Sequence, residues 1–298
     1  MKINKLITNK IIFPKKNNYA AIIGTSPSKS ARSPKLWNKT YKKLKSKTKM
    51  LPLDVKKKEL QKLMRILKKD KNYLGGSVTI PYKEEIIKHL DKIDTKAKLI
   101  GSVNTVVRKG KILIGHNTDY IGSLSTLKKI NINKRKKNIL IIGCGGAGKA
   151  VILSVDNYFN QSNILIKNRN ITKAKKFVKN FSSRRNKIKV LENQSDIIRI
   201  NLDLIINCSS LGFDEWIENK NKFINKIYLS PLSSNQKFYP TSHKNLNYFF
   251  EKNKKNYFNS LGETIYILSK NKNVKVFDII FKPVETILLR TSKIMNLN

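Results

Sequence analysis

Carboxylates are scarce in this chain: 19 Asp and Glu stand against 62 Lys and Arg over 298 residues, a formal net charge of +43. Such a balance ordinarily nominates nucleic acid or an anionic surface as partner. Only nine of the 62 cations are Arg, however, and the lysines run through the whole length beside heavy use of Asn and Ile. Lys, Asn and Ile share AT-rich codons, so the charge reads as compositional drift, and nucleic acid is not the expected partner. The excess still steers small anions inward and lowers stability at low salt by self-repulsion. Cysteine is nearly absent: Cys144 and Cys208 cannot make a disulfide framework and read as free thiols in a reducing compartment. Histidine is equally thin, and His89, His116 and His243 show no ligand spacing, so no metal is expected. No apolar run approaches the ~20 residues of a membrane helix. The basic stretch 1–18 lacks the apolar core of a secretory signal and reads as a frayed leader of a cytoplasmic protein.

What is present is organised in two styles. Tyr19 to Gly24 is a short apolar run ending in Gly, suited to a buried parallel strand. Ser33-Pro34 suggests a helix start with its cap before the proline. Val55, Leu60, Leu63, Met64 and Leu67 recur at helical spacing, with lysines on the wet face. Leu74 to Ile80 reads as a strand, Pro81 as a turn into a helix containing Lys83, and Val103–Arg108 with Lys111–Gly115 as a hairpin about Lys109-Gly110. From Asn138 strand and helix alternate strictly: strands at 138–142, 163–167, 187–191 and 202–207, helices at 146–157 and 171–181. Such alternation predicts a parallel, doubly wound sheet. A final helix is expected over about 277–295.

The first strand of that second half runs into Ile141-Ile142-Gly143-Cys144-Gly145-Gly146-Ala147-Gly148, a full G-x-G-x-x-G opening a helix. Gly143 makes the tight turn, Gly145 admits a pyrophosphate and Gly148 lets helix and strand pack, while Gly146 and Ala147 begin the helix whose N-terminus attracts phosphate. At the end of the next strand, where a carboxylate would bind the ribose hydroxyls of NAD, stands Lys167-Asn168-Arg169-Asn170. Two cations and no carboxylate favour the 2′-phosphate of NADP.

Upstream lie Val78-Thr79-Ile80-Pro81-Tyr82-Lys83-Glu84-Glu85, then Val103-Asn104-Thr105, then Asn117-Thr118-Asp119-Tyr120-Ile121-Gly122. Together with the glycine fingerprint this order resembles the shikimate dehydrogenases over roughly residues 19–212. The resemblance implies a two-domain α/β protein: an N-terminal substrate domain with a mixed sheet (19–118 plus 260–298, the C-terminal helices returning to it) and a Rossmann-like NADP domain (119–259). It implies that Lys83 and Asp119 form the acid/base pair, since removing a hydride from an alcohol requires its proton to leave as well. Thr79 and Asn104 become ligands of the substrate hydroxyls, and Ser33, the second serine of Ser-x-Ser-Pro, a ligand of its carboxylate. The resemblance also implies Asn168 and Arg169 as the contacts of the 2′-phosphate, and Asn207 and Ser209, in Asn-Cys-Ser-Ser-Leu-Gly, fall on the nicotinamide side.

Departures from the family pattern are expected to matter. Ala31 stands at the first serine, with Ser30 and Arg32 beside it, and Asn170 replaces the Thr of Asn-Arg-Thr. Over 260–268, Ile267 falls at the Gln and Glu263 at the Met of Gly-Leu-x-Met-Leu-x-x-Gln-Ala. The Asp-x-x-Tyr-x-Pro segment is not evident at its expected place, 227–234. The reading is NADPH-dependent reduction of 3-dehydroshikimate to shikimate by a monomer or homodimer. A quinate or aminated-ring activity and a decayed nucleotide-binding relative stand as alternatives.

Overall fold

The computed structural model describes residues 2–181, 183, 185–234 and 238–297. Two compact units divide the chain at 123/124.

The first unit contains β1 (Tyr19–Gly24), α1 (Pro27–Ser30), α2 (Ser33–Lys43), β2 (Lys49–Asp54), α3 (Leu60–Lys69), β3 (Tyr73–Val78), β4 (Lys92–Ile93), α4 (Thr95–Ile100), β5 (Thr105–Lys109) and β6 (Ile112–His116). Its mixed sheet has the order β2-β1-β3-β5-β6-β4. Strands β2, β1 and β3 are parallel, and β3, β5 and β6 alternate in direction. Alternate residues of β1 serve opposite faces. Tyr19, Ala21 and Ile23 enter the main core with Leu60, Leu63, Met64 and Leu67 of α3, whereas Ala20 and Ile22 pack with Met50 and Tyr41.

Between β1 and β3 the register slips, Tyr19 facing Tyr73 but Ala21 facing Gly76. Gly75 and Gly76 absorb the extra residue at φ +111° and +143°, where a Cβ would lie 2.1 Å from the Val106 carbonyl oxygen and 2.0 Å from that of Ala21. Only glycine lets three backbones approach so closely at such angles.

The second unit follows α5 (Asp119–Leu127), which spans the division. It comprises β7 (Asn138–Ile142), α6 (Gly146–Tyr158), β8 (Asn163–Lys167), α7 (Ile171–Asn180), β9 (Lys187–Val190), α8 (Gln194–Ile198), β10 (Leu204–Asn207), β11 (Trp216–Asn219), β12 (Lys222–Asn225), α9 (Leu246–Ser269), β13 (Lys275–Asp278) and α10 (Ile287–Ile294). The main sheet, β13-β10-β7-β8-β9, is wholly parallel, and β11 and β12 form a separate hairpin. Ile139 and Ile141 of β7 join Val151, Ile152 and Ala174 on one face. Leu140 and Ile142 join Ile197, Ile267, Leu268 and Leu288 on the other. Helices on both faces explain why these strands read as unbroken apolar runs, and the unit is a doubly wound, Rossmann-like sheet.

Five expectations are corrected. Lys83 lies in a turn, and the following helix is a 3-10 segment that begins at Glu85. Ser33 is the first residue of α2, whose cap is Arg32 with no side-chain cap bond. Residues 260–298 cluster with the second unit: β13 pairs with β10, and Ile267, Leu268 and Leu288 are buried in its core. The expected final helix is thereby divided into a strand and the shorter α10. Finally, the leader is not frayed. Ile3, Ile7 and Phe13 are buried in the first core, Ile7 bridges Val55, and Asn9 bonds both the Pro52 carbonyl and the Asp54 amide at 2.9 Å.

Because Ile3 is 0% exposed, Ile3→Ala is expected to cost about 2–4 kcal/mol through lost burial and a residual cavity. Guanidinium unfolding of the full chain checks this, and an unchanged midpoint would mean that the leader contributes no packing.

Candidate active site and dinucleotide cradle

In the first unit three strand ends bring the predicted catalytic residues together. The carbonyl of Asn104 accepts the Val78 amide at 2.7 Å and its own amide donates to the His116 carbonyl at 3.0 Å, so this residue joins the ends of β3 and β6. The Lys83 carbonyl accepts the Val103 amide at 2.7 Å, which fixes the Lys83 turn beside β5. Asp119 opens α5, where the helix dipole favours a negative charge. Its amide is held by Asn117 Oδ1 at 3.0 Å, and buried Asn117 is itself tied to the Ser102 carbonyl at 2.8 Å.

The resulting cluster is compact. Lys83 Nζ lies 2.7 Å from Asp119 Oδ2, and Asn104 Nδ2 donates to Asp119 Oδ1 at 2.7 Å. The orientation of the Asn104 amide is set by its surroundings: its Oδ1 accepts the Thr118 amide at 2.9 Å and the Thr105 hydroxyl at 2.9 Å, so its NH₂ must face the carboxylate. Lys83 and Asp119 remain partly open, with side chains 19% and 30% exposed, so a substrate can reach them. A cation, a carboxylate and an amide so arranged can donate, accept and orient a proton.

Thr79 sits four residues before Lys83, its amide on the Ile23 carbonyl at 2.9 Å, and among the described residues its hydroxyl has no partner. Ser33 is half-buried at the start of α2, Arg32 is exposed and Ala31 ends α1. The side chain of Ser30 lies outside the described residues.

In the second unit the glycine loop has the form a dinucleotide requires. Gly143 takes φ +104°, and a Cβ there would lie 2.9 Å from Cys208 C and Ser209 N; a Cβ on Gly148 would lie 2.1 Å from the Gly143 carbonyl oxygen. A Cβ on Gly145 would meet nothing within 4 Å, so the approach to the loop is open. Gly145 is the cap of α6 and supplies no side chain to its first turn. The amides of Gly146 and Ala147 begin the helix there, as phosphate binding needs. Asn168 braces this loop: Oδ1 accepts the Cys144 amide at 2.9 Å and Nδ2 donates to the Asn170 carbonyl at 2.7 Å. Arg169 is exposed and pairs with no carboxylate among the described residues. Asn170 caps α7 through the Lys173 amide at 2.8 Å, so its side chain is committed to the helix.

The turn after β10 is held from beneath. Asn207 Oδ1 accepts both the amide and the hydroxyl of Ser209, at 3.0 and 2.7 Å, while its Nδ2 reaches both oxygens of Asp278 at 3.1 Å. Asp278 also accepts from Thr286 Oγ1 and the Ile280 amide. Burial pushes its carboxyl above the ordinary range against those bonds. Neither Cys144 nor Cys208 is in a disulfide. Among the described residues no group of three His, Cys, Asp or Glu is placed to hold a metal ion, and no helix is long and apolar enough to cross a membrane.

Residues 22–106 match the family described as shikimate dehydrogenase substrate binding domain, and residues 125–223 the family described as shikimate / quinate 5-dehydrogenase. The shikimate dehydrogenase (NADP(+)) of Methanococcus aeolicus is 34% identical over 206 residues, 69% of this chain and 72% of that protein. The chain belongs to the shikimate dehydrogenase family. A second member, from Carboxydothermus hydrogenoformans, is 39% identical over 155 residues, 52% of this chain and 54% of its own length, so the matched stretch spans about half of that relative. A crystal structure of a shikimate dehydrogenase in complex with NADP⁺ shares the fold at a TM-score of 0.69 and 26% identity, covering 96% of this chain and 85% of that one.

Family membership clarifies the C-terminal departures. Asp278-Ile279-Ile280-Phe281-Lys282-Pro283 has the form of the family's Asp-x-x-Tyr-x-Pro with Phe for Tyr, and its Asp278 is the last residue of β13, beside β10. Residues 260–268 lie upstream of it on α9 and therefore do not occupy the place of the later Gln-containing motif. Ile267 is a core residue, and Glu263 accepts the Ser234 hydroxyl at 2.7 Å. Sequence reading missed Asp278 because α9 and the hairpin before it separate it from the expected position. It also missed Asn117 and Thr118 as the braces of the pair, although both lie within the Asn-Thr-Asp string.

Lys167, at the end of β8, is sunk among acceptors: Gln194 Oε1 at 2.7 Å and the carbonyls of Pro231 and Ser233 at 3.1 and 3.2 Å. Burial lowers its ammonium to about 8 from 10.5, with Glu263 opposing. Between those two values the native state sheds this proton before the unfolded chain does, so the unfolded state binds more protons and stability rises with pH across that window. Below about 8 both states are charged and the cost of the buried ammonium is fully present. Denaturant titrations are expected to show that rise in the wild type and a smaller one in Lys167→Met; equal slopes would mean that Lys167 titrates as an exposed lysine does.

Proposed function

We propose that this chain is a cytoplasmic, NADP-dependent shikimate dehydrogenase, reducing 3-dehydroshikimate to shikimate reversibly in aromatic amino-acid precursor synthesis. The observation that carries the reading is the Lys83–Asp119 pair oriented by Asn104. The glycine cradle, flanked by Arg169 and by no carboxylate at the end of β8, supports the choice of cofactor.

NADPH, when bound, supplies the hydride. The chain's own residues manage the proton: as the carbonyl oxygen of the substrate gains negative charge, Lys83 Nζ donates a proton to it, and Asp119 stabilises the ammonium before transfer and helps to restore it afterwards. In the oxidative direction neutral Lys83 accepts the hydroxyl proton. Asn104, whose amide hydrogens are engaged by Asp119 and Thr118, holds the carboxylate in place and shares a donor with a ring hydroxyl. Thr79 offers a hydroxyl for another ring oxygen, and Ser33 one for the substrate carboxylate. In the second unit the Gly143–Gly148 turn, with Gly145, Gly146 and Ala147 presenting backbone amides, receives the pyrophosphate. Arg169 reads the 2′-phosphate, Asn168 shapes the loop that presents it, and Asn207 and Ser209 form the nicotinamide-side turn. The partner is a small molecule, acted on by a monomer or homodimer without nucleic acid.

NADPH formation from NADP⁺ and shikimate, run beside quinate and beside NAD⁺, tests this reading. Lys83→Ala and Asp119→Asn are each expected to lower kcat by about 10²–10⁴-fold while leaving NADP⁺ binding nearly intact; near-full rate in either variant would remove the pair from the chemistry. Arg169→Ala is expected to narrow the preference for NADP⁺ over NAD⁺, and an unchanged ratio would show that this cation does not read the 2′-phosphate. Silence toward both substrates with NADP⁺ still bound would identify a nucleotide-binding relative that has lost the reaction.

A further inference from the structure

Lys226 follows β12, beyond the stretch 125–223 that matches the family. Its backbone is fixed from both sides, its carbonyl accepting the amides of Gly212 and Leu229 at 3.0 Å each. Its half-buried side chain donates to Ser210 Oγ at 2.6 Å and forms no ion pair among the described residues. Ser210 belongs to the turn that rests on the glycine loop, for the Cys208–Ser209 peptide is what leaves Gly143 no room for a Cβ. The ammonium is therefore held one residue from the wall of the dinucleotide cradle.

Burial holds the Lys226 ammonium below the ordinary lysine range, and the positive charge of Arg169 lowers it further, against the opposing carboxylate of Glu215. Arg169 comes from the end of β8, and Ser210 follows β10; between those strands lies β7, which leads into the glycine loop. At this point the chain's crossovers change direction, the place where doubly wound sheets bind phosphate-bearing ligands. Among the described residues the ammonium bonds a neutral hydroxyl, and the Glu215 carboxylate acts on it without forming an ion pair, so an anion in the adjacent cradle would give it a direct, charge-assisted partner.

We propose that Lys226 is a ligand of the dinucleotide's diphosphate, distinct from Arg169 at the 2′-phosphate; the assignment rests on the cofactor reading above. The diphosphate is common to NADP and NAD, so the two cations have separable signatures: loss of Lys226 weakens both dinucleotides, and loss of Arg169 changes their ratio.

Equilibrium binding of NADP⁺ and NAD⁺ to the full chain by titration calorimetry separates the outcomes. Lys226→Gln, which removes the charge but keeps a donor for Ser210, is expected to weaken both dinucleotides by about tenfold with their ratio unchanged. Lys226→Arg is expected to recover most of the affinity. Wild-type affinity in Lys226→Gln would overturn the proposal and leave the lysine as a brace for the turn. A loss confined to NADP⁺ would also overturn it, since the contact would then be to the 2′-phosphate. A wild-type chain that binds neither dinucleotide would overturn the cofactor reading itself.

Discussion

The geometry of the first unit depends on how closely three backbones approach at Gly75 and Gly76. A side chain at either position would collide with the carbonyl of Val106 or Ala21, so the bulged β3 can lie between β1 and β5 only because both residues lack one. From that point the chain runs through Val78 and Thr79 to the Lys83 turn, with Val78 bonded to Asn104 and the Lys83 carbonyl to Val103. Lysine, amide and aspartate thus meet because the backbone beneath them is fixed. Their side chains then need few rotamers restricted further, the arrangement that preorganised sites require.

The second unit solves a different problem with the same economy of side chains. Its cradle is made of backbone, and the polar residues around it serve mostly to hold that backbone: Asn168 across the glycine loop, Asn207 across the turn after β10, Asp278 beneath Asn207. A half-buried carboxylate that accepts from an amide, a hydroxyl and a main-chain N–H is costly to desolvate but rigid once satisfied. Charge is left to residues at the rim, Arg169 and Lys226. In a chain with 62 cations and 19 anions, the informative lysines are those the fold partly buries, Lys83, Lys167 and Lys226, and not those that dominate the composition.

Much of this was legible in the sequence. The strict alternation after Asn138 gave the parallel sheet, because strands covered on both faces must be apolar throughout. The glycine spacing located the tight loop between β7 and α6, because Gly143 and Gly148 each answer a separate steric demand. The Lys83, Asn104 and Asp119 strings were legible through resemblance, since one lysine among many has no distinction of its own. What escaped reading was mostly long-range. Nothing local shows that Ile3 and Ile7 fold back onto a core, or that residues 275–278 form a fifth strand and not the start of a helix. A hairpin and the long α9 intervene before β13, and the expected motif was sought too early as a result.

The packed leader also occupies a place where the first sheet would otherwise be open. Strand β2 is an outer strand, bonded on one side only to β1. Residues 7–9 cover part of its other side through the Ile7–Val55 bridge and the bonds of Thr8 and Asn9 to Pro52 and Asp54. Pro52, which has no N–H to offer, sits within that strand as well. Unpaired strand edges recruit other chains, and natural proteins cover them, charge them or interrupt them with proline. The first dozen residues therefore act as a selvedge: trimming them, or fusing bulky sequence to them, would leave main-chain donors and acceptors exposed to self-association before it disturbed the Lys83, Asn104 and Asp119 cluster.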